Sequence, residues 1–324
     1  MDKFIVEQHK EKDKKDDKYE YVENLPEGKI DQSIADYAKR YRIKIPEISI
    51  ILAYTRHTTP EDATHMMESL RRSDIIIPES AGWEYSDFWL QTIGEKSSNR
   101  AEKSFETEVM RSQDGMKKDF VYIDLDKKEL EKAKKNLIPV SKIMIDLLNK
   151  KPPFENALLI FKKCIEEGVH FQVQRELKIL KNLAPRVITA VKESNLLKNK
   201  KNIEVFIYLG SFHTFIGKQL KKRGEKLDII FPEKPYVYEK NIEIERKIRF
   251  DLKVTRQELV QAFFDYLQQL VFEISLTDQD EAVISQTIAK SITEEDIRKL
   301  YESSSGENIA GLRKSVFELI RKLL

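Results

Sequence analysis

Apolar positions along this chain fall into two rhythms. Residues 43–54 (IKIPEISIILAY) are rich in β-branched and aliphatic side chains, and positions 48–52 form a nearly continuous apolar run. Such a run suits a strand covered on both faces, as in a parallel sheet. TTPEDATHMMESLRRS then changes to helical spacing, with Pro60 suited to a first turn and Met66, Met67 and Leu70 on the apolar side. Three isoleucines at 75–77, between Asp74 and Pro78, close a strand–helix–strand unit. FVYIDLD (120–126) predicts another strand, followed by helical patterns over about 127–150, 154–167 and 170–197. NIEVFIYLG (202–210) carries the clearest strand pattern; an amphipathic stretch follows, and LDIIF (227–231) predicts a last short strand.

Strands alternating with helices predict an α/β fold, a mostly parallel sheet covered by helices. Past residues 232–235 the alternation stops, and residues 241–324 read as helices almost throughout. Within them Thr293 and Asp296 form a capping box with Asp in place of Glu or Gln. Ile309, Leu312, Val316 and Ile320 repeat at 3–4 spacing and make one apolar face. That face is expected to pack on the core or to join copies of the chain into a homo-oligomer. The expected organisation is a charged, disordered tail over 1–25, an α/β domain over 26–235 and an α-helical C-terminal region over 236–324.

Composition narrows the function. With 35% charged residues but 57 Lys and Arg against 55 Asp and Glu, the chain carries a net charge of only +2. A nucleic-acid binder announces itself by a basic excess, so nucleic acid is not an expected partner. One cysteine excludes a disulfide framework and a Cys-rich zinc module, and Cys164 within FKKCIEEG reads as an inert thiol. No stretch approaches the apolar length of a membrane span, and the N-terminal residues lack a secretory pattern. The expectation is a cytoplasmic protein.

The familiar catalytic motifs HExxH, GxSxG and GxGxxG are absent. GSFHTFIGKQ (210–219) superficially resembles a phosphate loop, but its glycine spacing is wrong and Gln219 stands where Ser or Thr must reach magnesium. The histidines carry more information. Of five, His57 and His213 stand just after the two best strands, and Glu79 occupies the equivalent place after the second. In parallel α/β sheets, ligands gather at those carboxyl ends. Two imidazoles and a carboxylate suit an open catalytic metal site, although strand-end histidines also serve as capping hydrogen-bonders. Trp83, Tyr85, Phe88 and Trp89 crowd the segment after Glu79, as a pocket wall or as a packing anchor. His65 and His170 read as surface or capping residues.

In order, Tyr54-Thr55-Arg56-His57, Ile77-Pro78-Glu79, Gln174-Arg175-Glu176 and Gly210-Ser211-Phe212-His213 resemble the motifs of the Tiki/TraB superfamily, which also takes in the erythromycin esterase-like and ChaN-like proteins. The resemblance covers roughly residues 45–232. It implies a metal-dependent hydrolase of peptide or ester bonds, with His57, Glu79 and His213 around a divalent manganese, cobalt or zinc ion. Glu79 would bind the metal or take a proton from water, and Arg175 would stabilise an oxyanion or clamp a substrate carboxylate. On the residues alone, Arg175 lies opposite Val173 and Leu177 yet between Phe171 and Ile179, so its face is either solvated or buried. Tyr54 departs from the family, which has glycine there; it either reshapes the pocket, contributing its hydroxyl to catalysis, or marks a lineage without the chemistry. The alternative function is therefore a catalytically inactive ligand-binding or protein-interaction module on the same fold.

Overall fold

The computed structural model describes residues 33–55, 60–79, 118–136, 140–210, 213–231, 240–272, 287–303 and 309–323. Helix α1 (Ile34–Arg40) starts at Ser33, whose hydroxyl accepts the Asp36 N–H. Strand β1 (Glu47–Thr55) leads to α2 (Pro60–Arg72), with proline in the first helical position. The strands β2 (Ile75–Ile77), β3 (Asp119–Phe120), β4 (Asn202–Gly210) and β5 (Leu227–Ile230) complete a five-stranded sheet in the order β3-β2-β4-β1-β5. Every pairing is parallel, as the continuous apolar runs predict.

Because successive side chains of a strand point to opposite faces, each apolar run feeds two cores. Ile50, Leu52 and Tyr54 of β1 join Val205, Ile207 and Leu209 of β4 on one face. Ile51, Ala53, Phe206 and Tyr208 face the other side, where Met66 and Leu70 of α2 cover them. Of the expected strand 120–126 only Phe120 lies in β3, whose two residues, Asp119 and Phe120, pair with Ile75 and Ile76 of the three-residue β2. The Val121 N–H still donates to the Ile76 carbonyl; after it the chain leaves the sheet, and the Ile123 carbonyl accepts from the Asn182 side chain instead of a strand neighbour.

The remaining helices are α3 (Lys127–Asn136), α4 (Val140–Lys150), α5 (Phe154–Glu193), α6 (Thr214–Lys222), α7 (Lys240–Arg249), α8 (Arg256–Phe272), α9 (Glu294–Ser303) and α10 (Ile309–Leu323). The two patterns expected over 154–167 and 170–197 are one 40-residue helix, α5, running through Gly168. Its buried stripe does not break there: Ile165 and Val169 lead on through Glu176 to Leu180 and Leu183. At 1.5 Å per residue the helix is roughly 60 Å long. Its first half lies in an all-helical core with α4, α8, α9 and α10, and its second half packs on the sheet. Rings of Phe154, Phe161 and Phe263 meet edge to face in the helical core, with centroids 5.2 and 6.1 Å apart. The expected boundary at 235–236 therefore does not separate the two cores, since the helical core draws on residues from both sides of it. The apolar face of α10 turns inward: Leu312 and Val316 are buried in the same core.

Candidate functional site

Parallel pairing brings the carboxyl ends of all strands to one edge, with Thr55 level with Gly210 and Ile77 level with Ile207. Glu79 lies two residues past β2, and His213 caps the start of α6 just past β4. These are neighbouring strands, and the two side chains meet: His213 Nε2 is 3.0 Å from Glu79 Oε1. The other ring nitrogen, Nδ1, is 3.0 Å from Glu176 Oε1 on α5. Glu79 Oε2 also accepts the Gly210 N–H, which anchors the carboxylate to the end of β4.

Arg175 completes the cluster from α5. Its Nη2 lies 3.0 Å from Glu79 Oε1, and Nε and Nη2 grip Asp124 at 2.9 and 2.5 Å. Of its two possible faces the structure realises the buried one, beside fully buried Ile179. On the far side of Glu176, Arg249 of α7 places Nη1 3.5 Å from Oε1. The charges thus alternate along one row: Asp124, Arg175, Glu79, His213, Glu176, Arg249. Glu176 and Arg249 side chains are 0% exposed and His213 2%, whereas Glu79 is 19% exposed. The row is buried at both ends, at Asp124 and at Arg249, and Glu79 in its middle is the most accessible member.

The neighbours set the protonation of the ring. Burial opposes a charged His213, but the Glu79 carboxylate and the ring's hydrogen bonds to Glu176 and Glu79 outweigh it and push the pKa up to about 9. Burial likewise opposes the Arg175 charge, and Asp124 and Glu79 reverse the effect, raising its pKa above the ordinary arginine value. The two carboxylates thus favour the protonated ring, which in that form donates to a carboxylate from each nitrogen.

This bears on the divalent ion that the motif resemblance implies. Among the described residues no three His, Cys, Asp or Glu side chains are grouped to hold a metal. Glu79 Oε1 is already shared by two cationic side chains. Of the three ligands that the resemblance implies, Glu79 and His213 are engaged with each other, and His57 lies outside the described residues.

Tyr54 is buried at the end of β1, and its hydroxyl meets main chain: it donates to the His213 carbonyl (3.3 Å) and accepts the Gly217 N–H (3.1 Å). Trp83, Tyr85, Phe88 and Trp89 and the charged tail over 1–25 lie outside the described residues. His170 is exposed in mid-helix. Cys164 is held as a thiol, burial first and then Glu167 and Glu245 pushing it up to about 11. Sequence reasoning missed three members of the row. Glu176 stood inside the motif that singled out Arg175, and Asp124 ends an apolar run as Glu79 does. Arg249 had no signal, being one charge among many in an amphipathic helix.

Among the described residues no helix is long and apolar enough to cross a membrane. Fold and site together define an α/β protein with a charged acid–base row at the carboxyl edge of its sheet. Comparison with protein-family models, curated proteins and solved structures finds no match.

Proposed function

We propose that this protein is a hydrolase of peptide or ester bonds in which Glu79 activates the attacking water. The observation that carries the reading is the pairing of a partly open Glu79 with a buried, doubly hydrogen-bonded His213 and Arg175 at the carboxyl edge of the sheet. The order of the motifs around Glu79, Arg175 and His213, which resembles the Tiki/TraB superfamily, supports the same reaction class.

In this reading Glu79 takes a proton from water through Oε2, the oxygen not shared with the two cations. The hydroxide attacks the carbonyl carbon, and Arg175 stabilises the oxyanion. With Nε and Nη2 on Asp124, its guanidinium is not able to clamp a substrate carboxylate side-on. A single developing oxyanion suits its remaining N–H groups better. Collapse of the tetrahedral species breaks the C–O or C–N bond, and Glu79 returns its proton to the leaving atom. His213 and Glu176 keep Glu79 in place and offset its charge.

The test is turnover of a panel of p-nitrophenyl esters and fluorogenic peptides by wild type and Glu79→Gln, each with chelator or with added manganese, cobalt or zinc. Wild-type turnover should survive chelation, and Glu79→Gln should lower kcat by about 100-fold or more. Turnover that appears only with added metal would return His57, Glu79 and His213 to a metal site. No turnover under any condition would leave an inactive ligand-binding or interaction module.

A further inference from the structure

We propose that Tyr54 is a positioning residue for His213 and that position 217 is glycine in order to admit it. The inference rests on the reading above, in which the His213 ring supports Glu79. The Tyr54 hydroxyl bridges the His213 carbonyl and the Gly217 N–H. These two groups are four residues apart, the pair that the first turn of an α-helix joins. The phenol thus sits at the opening turn of α6 and ties it to β1. Since β1 is paired along its length with β4, the same two strands hold both the approach to His213 and its carbonyl. With the carbonyl fixed, the buried imidazole meets Glu79 and Glu176 in one orientation.

Gly217 supplies an independent observation. It lies inside the nine-residue α6, where glycine is the poorest helix former after proline. Its backbone does not require glycine, for only Gly224 among the described glycines has a positive φ. What requires it is space: a Cβ there would stand 2.6 Å from the Tyr54 hydroxyl oxygen, 3.2 Å from Leu52 Cδ2 and 3.4 Å from Ile229 Cδ1. The hydroxyl is held from two sides and has no retreat that keeps both hydrogen bonds. A weak helix residue and a tyrosine at a strand end are thus two halves of one device.

The experiment compares full-length wild type, Tyr54→Phe, Gly217→Ala and the double variant. Thermal midpoints, the His213 imidazole ¹⁵N resonances, and kcat and KM on the p-nitrophenyl esters are measured for each. Tyr54→Phe should stay folded, because the Gly217 N–H and His213 carbonyl can pair directly. Its His213 resonances should shift, and kcat should fall about ten-fold or more with KM nearly unchanged. Gly217→Ala should lower the midpoint beside tyrosine but leave it unchanged or raised beside phenylalanine, where alanine's helix preference is felt. Unaltered His213 resonances in Tyr54→Phe, or an equal loss from Gly217→Ala in both backgrounds, would overturn the proposal. Should Tyr54→Phe fail to fold, Gly217→Ala alone carries the test, since displacing the hydroxyl must shift the same resonances. If wild type turns over no ester, the hydrolase reading fails, and resonances and midpoints still decide the role of Tyr54.

Discussion

His213 carries a carboxylate on each ring nitrogen, and that surrounding makes stability depend on pH in a definite direction. Its folded pKa of about 9 lies above the ordinary imidazole value. The charged ring therefore stabilises the fold fully below about pH 6.5, and the contribution declines as pH rises through 9. The difference corresponds to something on the order of 3 kcal/mol. Urea denaturation of wild type should show this loss between pH 6 and 9.5, while His213→Gln should be less stable at pH 6 and nearly flat across the window. Parallel pH profiles would rule the charged ring out. Arg175 marks how far sequence reasoning reaches at this scale. The spacing on its helix left two faces open, and only the arrival of Asp124 and Glu79 from other strand ends selected the buried one.

At the scale of elements, α5 joins the two cores, and the site lies where it passes from one to the other. Val169 is its last residue buried in the helical core and Ile179 its first buried in the sheet core. Arg175 and Glu176 lie in the interval, about 100° apart around the axis, so one reaches Glu79 and Asp124 while the other reaches His213. Two glycines on helices respond oppositely to alanine for physical reasons. Gly168 has no atom within 4 Å of an added Cβ. Gly168→Ala should therefore raise unfolding free energy by about 1 kcal/mol from helix propensity alone, whereas Gly217→Ala meets the Tyr54 hydroxyl. Chemical denaturation of Gly168→Ala checks the first, and a loss of stability there would mean unseen crowding. Sequence spacing also located the α9 cap: Thr293 Oγ1 accepts the Asp296 N–H at 3.2 Å, and the Asp296 carboxylate accepts the Thr293 N–H at 3.1 Å.

Over the whole molecule, the helices after residue 240 belong to the site's foundation. Arg249 balances Glu176 inside the protein, and Phe263, Leu300 and Val316 cover the first half of α5. Removing residues 236–324 would expose Phe154, Phe161 and Ile165 and leave Glu176 buried without Arg249. Such a truncated chain should aggregate or lose cooperative unfolding, and full-length protein should unfold in one transition. A soluble, cooperatively folding 1–235 fragment, seen by scanning calorimetry and size-exclusion chromatography, would show that the sheet core stands alone.

The pattern of apolar residues determined the elements by itself: period-two and continuous runs made strands, 3–4 spacing made helices, and their alternation made a parallel sheet. It also placed Glu79 and His213 at one edge, because parallel strands send the residues that follow them to the same side. Local periodicity carries that information, and local periodicity is what a sequence displays. Tertiary structure alone decided the partners. Glu176 is in a helix over thirty residues before His213, Asp124 is about fifty before Arg175, and Arg249 arrives from beyond the sheet altogether. A charged side chain looks the same in sequence whether it ends in water or against an opposite charge. Only the long-range packing of α5 between two cores determines which of these charges are buried together.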